Sequence, residues 1–388
     1  MAQGSEHQGK NLVVCCDGTD NEFGENNTNV VRLLSLALKQ DERQIVFYEP
    51  GLGTFPAAGA WTPLQQKLTK LLGSAFGFGL SHNIAVCYDF LVSNYRPGDR
   101  IYLFGFSRGS YTARVLAALI HVCGLMRTKN ANLAPYVFKL FRKEATKAKK
   151  KNDKAERRTG KKLPLELPVC DEFKRVFSVE APIHFIGVWD TVSSVGTIFD
   201  PFKLPYTRWN PSVEAVRHAI SIDEKRKFFR TNLWSSSQQS TDVSQVWFAG
   251  VHADVGGGYP EAQSGLAKIA LAWMLEEAAP AGLRIDEASL PTVFPEPDAH
   301  AGLAPPDPAA PMHDELDHWY WRLLQWVPRR YWARDPESGQ FRRHWNFSPR
   351  AMPRFIPPDA DIHPSVCERK REVGDYDPVN LPKDQCSE

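Results

Sequence analysis

The fold is decided by three consecutive pieces of the chain: Arg100-Ile-Tyr-Leu-Phe104, Gly105-Phe-Ser-Arg-Gly109 and Ser110-Tyr-Thr-Ala-Arg-Val-Leu-Ala-Ala-Leu119. An apolar run of strand length leads into a Gly-x-Ser-x-Gly motif, and a helix-like stretch with small residues follows. In this motif a strand turns sharply into a helix, and its glycines leave room for the two to approach. We therefore expect Ser107 at the tip to be a nucleophile, with the Arg108 amide at the helix start facing an oxyanion.

Other apolar runs of strand length also end in polar or small residues. Each is continuously apolar, which is typical of a strand buried on both faces of a sheet. Helix-like stretches separate the runs. We therefore predict an α/β fold of the α/β-hydrolase type, with a mostly parallel sheet and helices on both faces. In such sheets the chemistry lies beyond the carboxyl ends of the strands. The residues that directly follow a predicted strand are Asp17, Asp190 and His252.

A serine hydroxyl needs a base, and that base needs an orienting acid. In α/β-hydrolases the chain order is serine, acid, histidine, which Ser107, Asp190 and His252 satisfy. Other residues remain alternatives at this point. His363 is a second candidate base, and Asp223 and Asp254 are other candidate carboxylates.

A second oxyanion donor is expected from a loop after an early strand. The turn at Gly18 and Thr19, which follows the first predicted strand, is well placed for this role. An ordinary Asx turn followed by a helix N-cap is an equally good interpretation of the same residues.

The charge distribution is uneven although the 388 residues carry a net charge of only +2. Twelve Lys and Arg lie between Lys139 and Lys162, against three acidic residues. Because aromatic residues are not interleaved with these charges, we expect a mobile excursion or a solvated helix and no nucleic-acid partner. Nucleic-acid binding would be the more specific interpretation, and attraction to an anionic lipid surface is intermediate between it and a solvated insert.

The seven cysteines are an odd number without CxxC spacing, which favours reduced thiols in a cytoplasmic chain. The polar N-terminus lacks the apolar core of a signal peptide, and residues 71–88 are a poor membrane span. Export by a system that needs no signal peptide remains compatible with these features. We expect neither a metal nor another cofactor, because no cluster has zinc or EF-hand spacing.

The chain is predicted to divide into a hydrolase core over 10–285, with the basic insertion at about 139–167, and a remainder over 286–388. That remainder combines a Pro-rich linker, a Trp-rich segment and a C-terminal cap that wraps the core. Trp319, Trp321 and Trp326 are candidate lipid contacts, since Trp beside Arg favours a membrane–water interface. Packing of these side chains into a core is the alternative.

Five motifs together resemble one family. They are Cys16-Asp-Gly-Thr19 with Asn26-Asn27, Gly105 to Arg114, Gly187-Val-Trp-Asp-Thr-Val192, Gly250-Val-His-Ala-Asp-Val-Gly-Gly-Gly-Tyr259 and His363-Pro-Ser-Val366. The chain is similar to the catalytic domain of type VI secretion phospholipase effectors and their uncharacterised bacterial and fungal relatives. The resemblance implies an α/β-hydrolase fold, hydrolysis of phospholipid acyl esters, and a triad of Ser107, Asp190 and His252.

The sequence therefore predicts a serine hydrolase that cleaves acyl esters, with a phospholipid as substrate and a peripheral membrane contact. A soluble carboxylesterase acting on short esters is one alternative. From a different class, the chain could be a non-catalytic interaction module that uses the basic insertion. A fold or a motif alone does not name the substrate.

Overall fold

The computed structural model describes residues 9–18, 21, 23–39, 42–51, 76–128, 133–161, 163–192, 204–227, 229–235, 241–296, 302–317, 322, 325–326, 329–334, 341–346, 352–382 and 385–386. The strands are β1 (Asn11–Cys16), β2 (Gln44–Glu49), β3 (Arg100–Phe106), β4 (Leu125–Met126), β5 (Ser178–Val179), β6 (Ile183–Trp189), β7 (Val213–Ser221), β8 (Asp242–Phe248), β9 (Arg329–Arg334), β10 (Phe341–Asn346) and β11 (Asp361–Ile362). The helices are α1 (Asn29–Leu36), α2 (Phe76–Asn94), α3 (Arg108–Cys123), α4 (Ala134–Thr159), α5 (Pro168–Phe177), α6 (His252–Gly256), α7 (Gly265–Ala278), α8 (Leu290–Val293) and α9 (Pro364–Glu372).

One seven-stranded sheet organises the molecule, in the order β11-β8-β7-β6-β3-β1-β2. Every neighbouring pair in it is parallel, which confirms the predicted α/β class. The register pairs Cys16 with Gly105 and Phe106 with Trp189, so β1, β3 and β6 end level with one another. Residues that follow these strands therefore meet at one edge of the sheet.

The central strands β1, β3 and β6 are buried on both faces along nearly their whole length, as their largely apolar sequences require. In β1, Leu12 and Val14 pack into one core with α2, α3, α4 and α5, whereas Val13 and Cys15 pack into a second core with α1 and α7. This alternation follows from the two-residue period of a strand. The helices therefore lie on both faces, as predicted.

Residues 139–159 of the basic insertion lie in the long helix α4, which agrees with the helix alternative. The first half of α4 is anchored, because Val137, Phe138 and Phe141 are buried in the first core. Its second half, residues 146–159, is exposed or half-buried and is called the basic arm below. Gly160, whose φ of 69° is left-handed, ends the helix.

The end of the chain packs over the far edge of the sheet. Here β11 pairs with β8, and Ile356, Val366 and Tyr376 share a third apolar cluster with Trp247. Residues 352–382 are called the C-terminal segment below. The position of this segment is consistent with a cap, whereas the division into domains at residue 285 stays a prediction.

The expectation that the cysteines are reduced is wrong for one pair. Cys367 in α9 and Cys386 near the end of the chain form a disulfide, with a Cα–Cα distance of 5.2 Å. Sequence spacing gave no signal, because the C-terminal segment brings the two residues together only when it folds back. The other five cysteines are buried free thiols.

Two further expectations concern membranes. None of the described helices is long and apolar enough to cross a bilayer. Of the candidate lipid contacts, Trp319 and Trp321 lie outside the described residues, whereas Trp326 has 65% of its surface exposed.

Candidate active site

Ser107 stands in a strained turn between β3 and α3. Its φ of 58° and ψ of −117° lie in a region that residues with a side chain rarely adopt. The turn is held from the neighbouring strand, because the Ser107 amide donates to the Trp189 carbonyl at 3.0 Å. Such over-determined strain is typical of a functional residue, and the geometry matches the elbow that the motif predicts.

The flanking glycines make the turn sterically feasible. A Cβ on Gly105 would lie 2.7 Å from the Gly109 carbonyl carbon. A Cβ on Gly109 would lie 2.1 Å from the carbonyl oxygen of Cys16, at the end of β1. Any side chain at either position would therefore push α3 away from the sheet and displace Ser107.

The structure brings the three predicted residues of the triad together. His252 Nε2 lies 2.8 Å from Ser107 Oγ, and His252 Nδ1 lies 2.5 Å from Asp190 Oδ2. Gly250, with a φ of 110°, turns the chain after β8 so that α6 begins at His252. With Nδ1–H donating to the carboxylate, Nε2 carries the lone pair that can accept the hydroxyl proton.

The surroundings of His252 keep its imidazole neutral. Its ring lies between the rings of Phe106 and Phe229, with centroid distances of 4.6 and 4.7 Å. This burial lowers the pKa of His252 below its ordinary value, although Asp190 acts in the opposite direction. The free base is therefore the main form at neutral pH, as a general base requires.

Asp190 is fully buried at the end of β6, with a φ of 37°. Burial by itself would raise the pKa of this carboxyl, but the guanidinium of Arg354 and the bond to His252 hold the pKa well below its usual range. Asp190 also accepts the Ser221 amide at 3.1 Å. It is thus an ionised carboxylate with a fixed orientation.

Arg354 was not identified from the sequence. It lies in the C-terminal segment, 164 residues after Asp190. Its Nη1 donates to Asp190 Oδ1 at 2.5 Å and its Nη2 donates to Asp190 Oδ2 at 2.9 Å. The local sequence, Met352-Pro-Arg-Phe-Ile-Pro357, has no periodicity or motif that could have marked it. Only the tertiary fold connects the two residues.

A second buried ion pair supports the loop of His252. The His252 amide donates to Glu224 Oε2 at 3.3 Å, and Arg226 pairs with that same carboxylate at 2.6 Å. Arg226 also reaches Glu315 at 2.9 Å. These contacts fix where α6 begins, and sequence analysis missed them as well.

The expected second oxyanion donor is already engaged. The Gly18 amide donates to Asp17 Oδ1 at 2.7 Å, a bond that competes with the role of an oxyanion donor. Asp17 also accepts from Thr28 and Tyr48, and burial raises its pKa to about 6. Thr19 lies outside the described residues. Arg108 begins α3 directly after Ser107, as expected.

The alternative residues have other partners. Asp223 accepts from the Gly250 amide at 2.7 Å and from the Tyr376 hydroxyl at 2.9 Å. Asp254 bonds to His313 at 2.7 Å. His363 caps α9, bonds to Ser365 at 2.8 Å and stacks on Phe248. The structure does not bring any of these three side chains to Ser107.

Among the residues that the structure describes, no group of three or more His, Cys, Asp or Glu side chains is arranged to hold a metal ion.

Comparison with known proteins identifies relatives of the chain. The curated relative "Uncharacterized protein YEL023C" of Saccharomyces cerevisiae is 36% identical over 231 residues, which is 57% of this chain and 32% of that protein. This chain thus spans about a third of the length of that relative.

Two solved structures are similar to the chain. One is titled "Crystal structure of an uncharacterized protein from Pseudomonas aeruginosa", with a TM-score of 0.42, 18% identity, and coverage of 76% of this chain and 49% of that one. The other is "Structure of the Tle1 effector bound to the VgrG spike from the Type 6 secretion system", with a TM-score of 0.41, 14% identity, and coverage of 91% and 93%.

The family profile described as "T6SS, Phospholipase effector Tle1-like, catalytic domain" matches residues 10–277. This match includes Ser107, Asp190 and His252 and covers more than half of the 388 residues. The chain therefore belongs to the family of Tle1-like type VI secretion phospholipase effectors, through their catalytic domain.

Proposed function

We propose that the chain is a serine hydrolase that cleaves the acyl esters of phospholipids. One observation carries this proposal: a hydrogen-bonded relay from Asp190 through His252 to Ser107, whose serine stands in a strained strand-to-helix turn. Membership of a phospholipase effector family supports acyl esters of lipids as the substrate class.

In the proposed mechanism, Ser107 Oγ attacks the ester carbonyl carbon while His252 Nε2 takes the hydroxyl proton. Asp190 holds the imidazole in the required tautomer and stabilises the imidazolium that forms. The Arg108 amide, at the positive end of α3, is proposed to donate to the tetrahedral oxyanion.

Collapse of the tetrahedral intermediate breaks the ester bond. His252 returns the proton to the leaving alcohol oxygen, which departs with the lysophospholipid, and the acyl group stays on Ser107. Water then attacks the acyl-enzyme with His252 again as base, and the free fatty acid leaves.

We also propose that the basic arm contacts the anionic surface of the substrate bilayer. It carries Lys and Arg at seven positions, against Asp153 and Glu156. Beside it, Leu163 and Leu165 are 39% and 38% exposed, and Leu163 is bonded to Asn152 of the arm. Cationic side chains next to exposed leucines are typical of a surface that adsorbs to lipid.

Hydrolysis of lipid vesicles tests the proposed function. Wild type and Ser107→Ala would be compared on phosphatidylcholine vesicles, with and without an anionic lipid, and on soluble butyryl esters. We expect wild type to release fatty acid from the vesicles, and Ser107→Ala to be slower by at least about 10³-fold. Hydrolysis of the butyryl ester alone would support a carboxylesterase and remove the lipid substrate. Loss of both activities would favour an interaction module.

A further inference from the structure

Arg354 makes a complete set of hydrogen bonds in the proposed catalytic site. Nη1 donates to Asp190 Oδ1 at 2.5 Å and to Ser221 Oγ at 2.8 Å. Nη2 donates to Asp190 Oδ2 at 2.9 Å and to the Phe229 carbonyl at 2.6 Å, and Nε reaches that carbonyl at 3.1 Å. All five N–H groups of the planar guanidinium thus have an acceptor.

These bonds connect Arg354 to both partners of the nucleophile. The two bonds from Nη1 and Nη2 to the carboxylate oxygens fix the plane of the Asp190 carboxylate. This plane directs Oδ2 towards His252. The bonds to the Phe229 carbonyl hold the residue whose ring packs edge-on against the His252 imidazole. The Arg354 side chain therefore orients the Asp190 carboxylate and also holds the residue whose ring packs against His252.

The backbone of Arg354 is held by another residue of the C-terminal segment. Asn380 donates to the Arg354 carbonyl at 3.0 Å and to the Ile222 carbonyl, just past β7, at 3.1 Å. The whole segment lies beyond residues 10–277, which match the family profile. The matched domain thus contains the relay but not the group that fixes its carboxylate.

We propose that Arg354 is a positioning residue for the hydrolytic reaction, and that the C-terminal segment completes the active site by supplying it. This inference rests on the proposed function, since it assigns Arg354 a role through Asp190 and His252. Without the Arg354 side chain, the plane of the Asp190 carboxylate would no longer be fixed.

The test uses the pH dependence of the reaction. Besides Arg354, the charged groups around His252 among the described residues are Asp190, Glu224 and Arg226. With Arg354 removed, its guanidinium no longer offsets the charge of Asp190, which therefore stabilises the protonated imidazole more strongly although Arg226 remains. The acid limb of kcat/KM should therefore move to higher pH.

Two variants separate charge from geometry. Arg354→Met should lower kcat by about 10- to 100-fold and move the acid limb upwards. Arg354→Lys keeps the charge, but its single nitrogen cannot reproduce the planar set of bonds to both Asp190 oxygens and to the Phe229 carbonyl. It should lower kcat in the same way while the acid limb stays close to that of wild type.

Arg369→Met is the matched control. Arg369 is also a buried arginine of the C-terminal segment, but it donates to the Pro308 and Ala310 carbonyls instead of Asp190. It should lower the melting temperature without moving the acid limb. If Arg354→Met does not fold, Arg354→Lys and Asn380→Ala carry the test through their loss of kcat.

The experiment measures butyryl-ester hydrolysis by the full chain from pH 4.5 to 8.5, with Ser107→Ala alongside. An Arg354→Met profile that matches wild type in rate and in its acid limb, while Ser107→Ala is inactive, overturns the positioning role and leaves the proposed function standing. An acid limb that moves equally in Arg369→Met also overturns it. Equal hydrolysis by wild type and Ser107→Ala overturns the proposed function first.

Discussion

Asp190→Asn is the substitution whose effects follow most directly from the structure. It preserves shape but removes the charge that faces Arg354, a residue that is only 8% exposed. The guanidinium would then be a buried cation without its carboxylate. Breaking a buried pair by removing one partner costs about 3–5 kcal/mol. We expect the free energy of unfolding of Asp190→Asn to fall by about that amount.

The same substitution should disable the base. An amide has one acceptor oxygen, and the Arg354 fork and the Ser221 amide compete for it. The amide NH₂ would then face His252 Nδ1, which favours the tautomer with its proton on Nε2. That tautomer cannot accept the Ser107 proton, so kcat should fall by about 10⁴-fold.

The double variant Asp190→Asn with Arg354→Met distinguishes the two effects. It removes the orphaned cation, so it should be more stable than the sum of the single changes implies, by about 2 kcal/mol or more. It should nevertheless remain inactive, because the acid is still missing. Urea unfolding and butyryl-ester hydrolysis measure the two quantities. Additive losses of stability, or an Asp190→Asn rate within tenfold of wild type, would refute the reasoning.

Three other predictions concern pH, packing and membrane binding. Burial lowers the pKa of His252 below its ordinary value, so kcat/KM should be flat near neutral pH and fall with a midpoint below about 6.5; a midpoint above 7 would contradict this. Gly109→Ala places a Cβ 2.1 Å from the Cys16 carbonyl oxygen and should cost about 3 kcal/mol and most activity. Gly374→Ala, where a Cβ would meet nothing within 4 Å, should change stability by less than about 0.5 kcal/mol, and equal costs would argue against the packing account. Replacing Lys150, Lys154 and Arg157 by Glu should weaken binding to anionic vesicles at least about tenfold at low salt and leave butyryl-ester hydrolysis unchanged. The control variant carries Arg at the two Lys positions and should bind like wild type. Sedimentation of the Glu variant with the vesicles at the wild-type level would contradict the proposed contact.

Local sequence predicted the class of sheet and the turn at Ser107, but it left His363, Asp223 and Asp254 open as alternatives for the relay. An apolar strand, a sharp turn and a helix are encoded within the twenty residues around Ser107, and parallel strands bring their carboxyl ends to one edge. Their positions after strands and the chain order of serine, acid and histidine therefore made Asp190 and His252 candidates for contact with Ser107. The apolar run before His252 predicted a strand that extends to residue 251, whereas β8 ends at Phe248 and Gly250 turns the chain before His252.

Contacts that depend on tertiary folding could not be predicted. Arg354 and Cys367 lie in the C-terminal segment, whose path over the sheet has no periodic signature in the sequence, and Cys386, the disulfide partner of Cys367, follows that segment. The Gly18 amide illustrates a different limit. A local turn and an oxyanion donor require the same residues, and only the folded structure shows that the Gly18 amide donates to the Asp17 carboxylate.

The central claim is that Ser107 is a nucleophile activated by His252. Labelling with a fluorophosphonate serine probe tests it directly in wild type, Ser107→Ala, His252→Ala and His363→Ala. We predict labelling of wild type and His363→Ala, none of Ser107→Ala, and strongly slowed labelling of His252→Ala, because only His252 lies 2.8 Å from Ser107 Oγ. Equal labelling of wild type and Ser107→Ala, or loss of labelling in His363→Ala with retention in His252→Ala, would contradict the account.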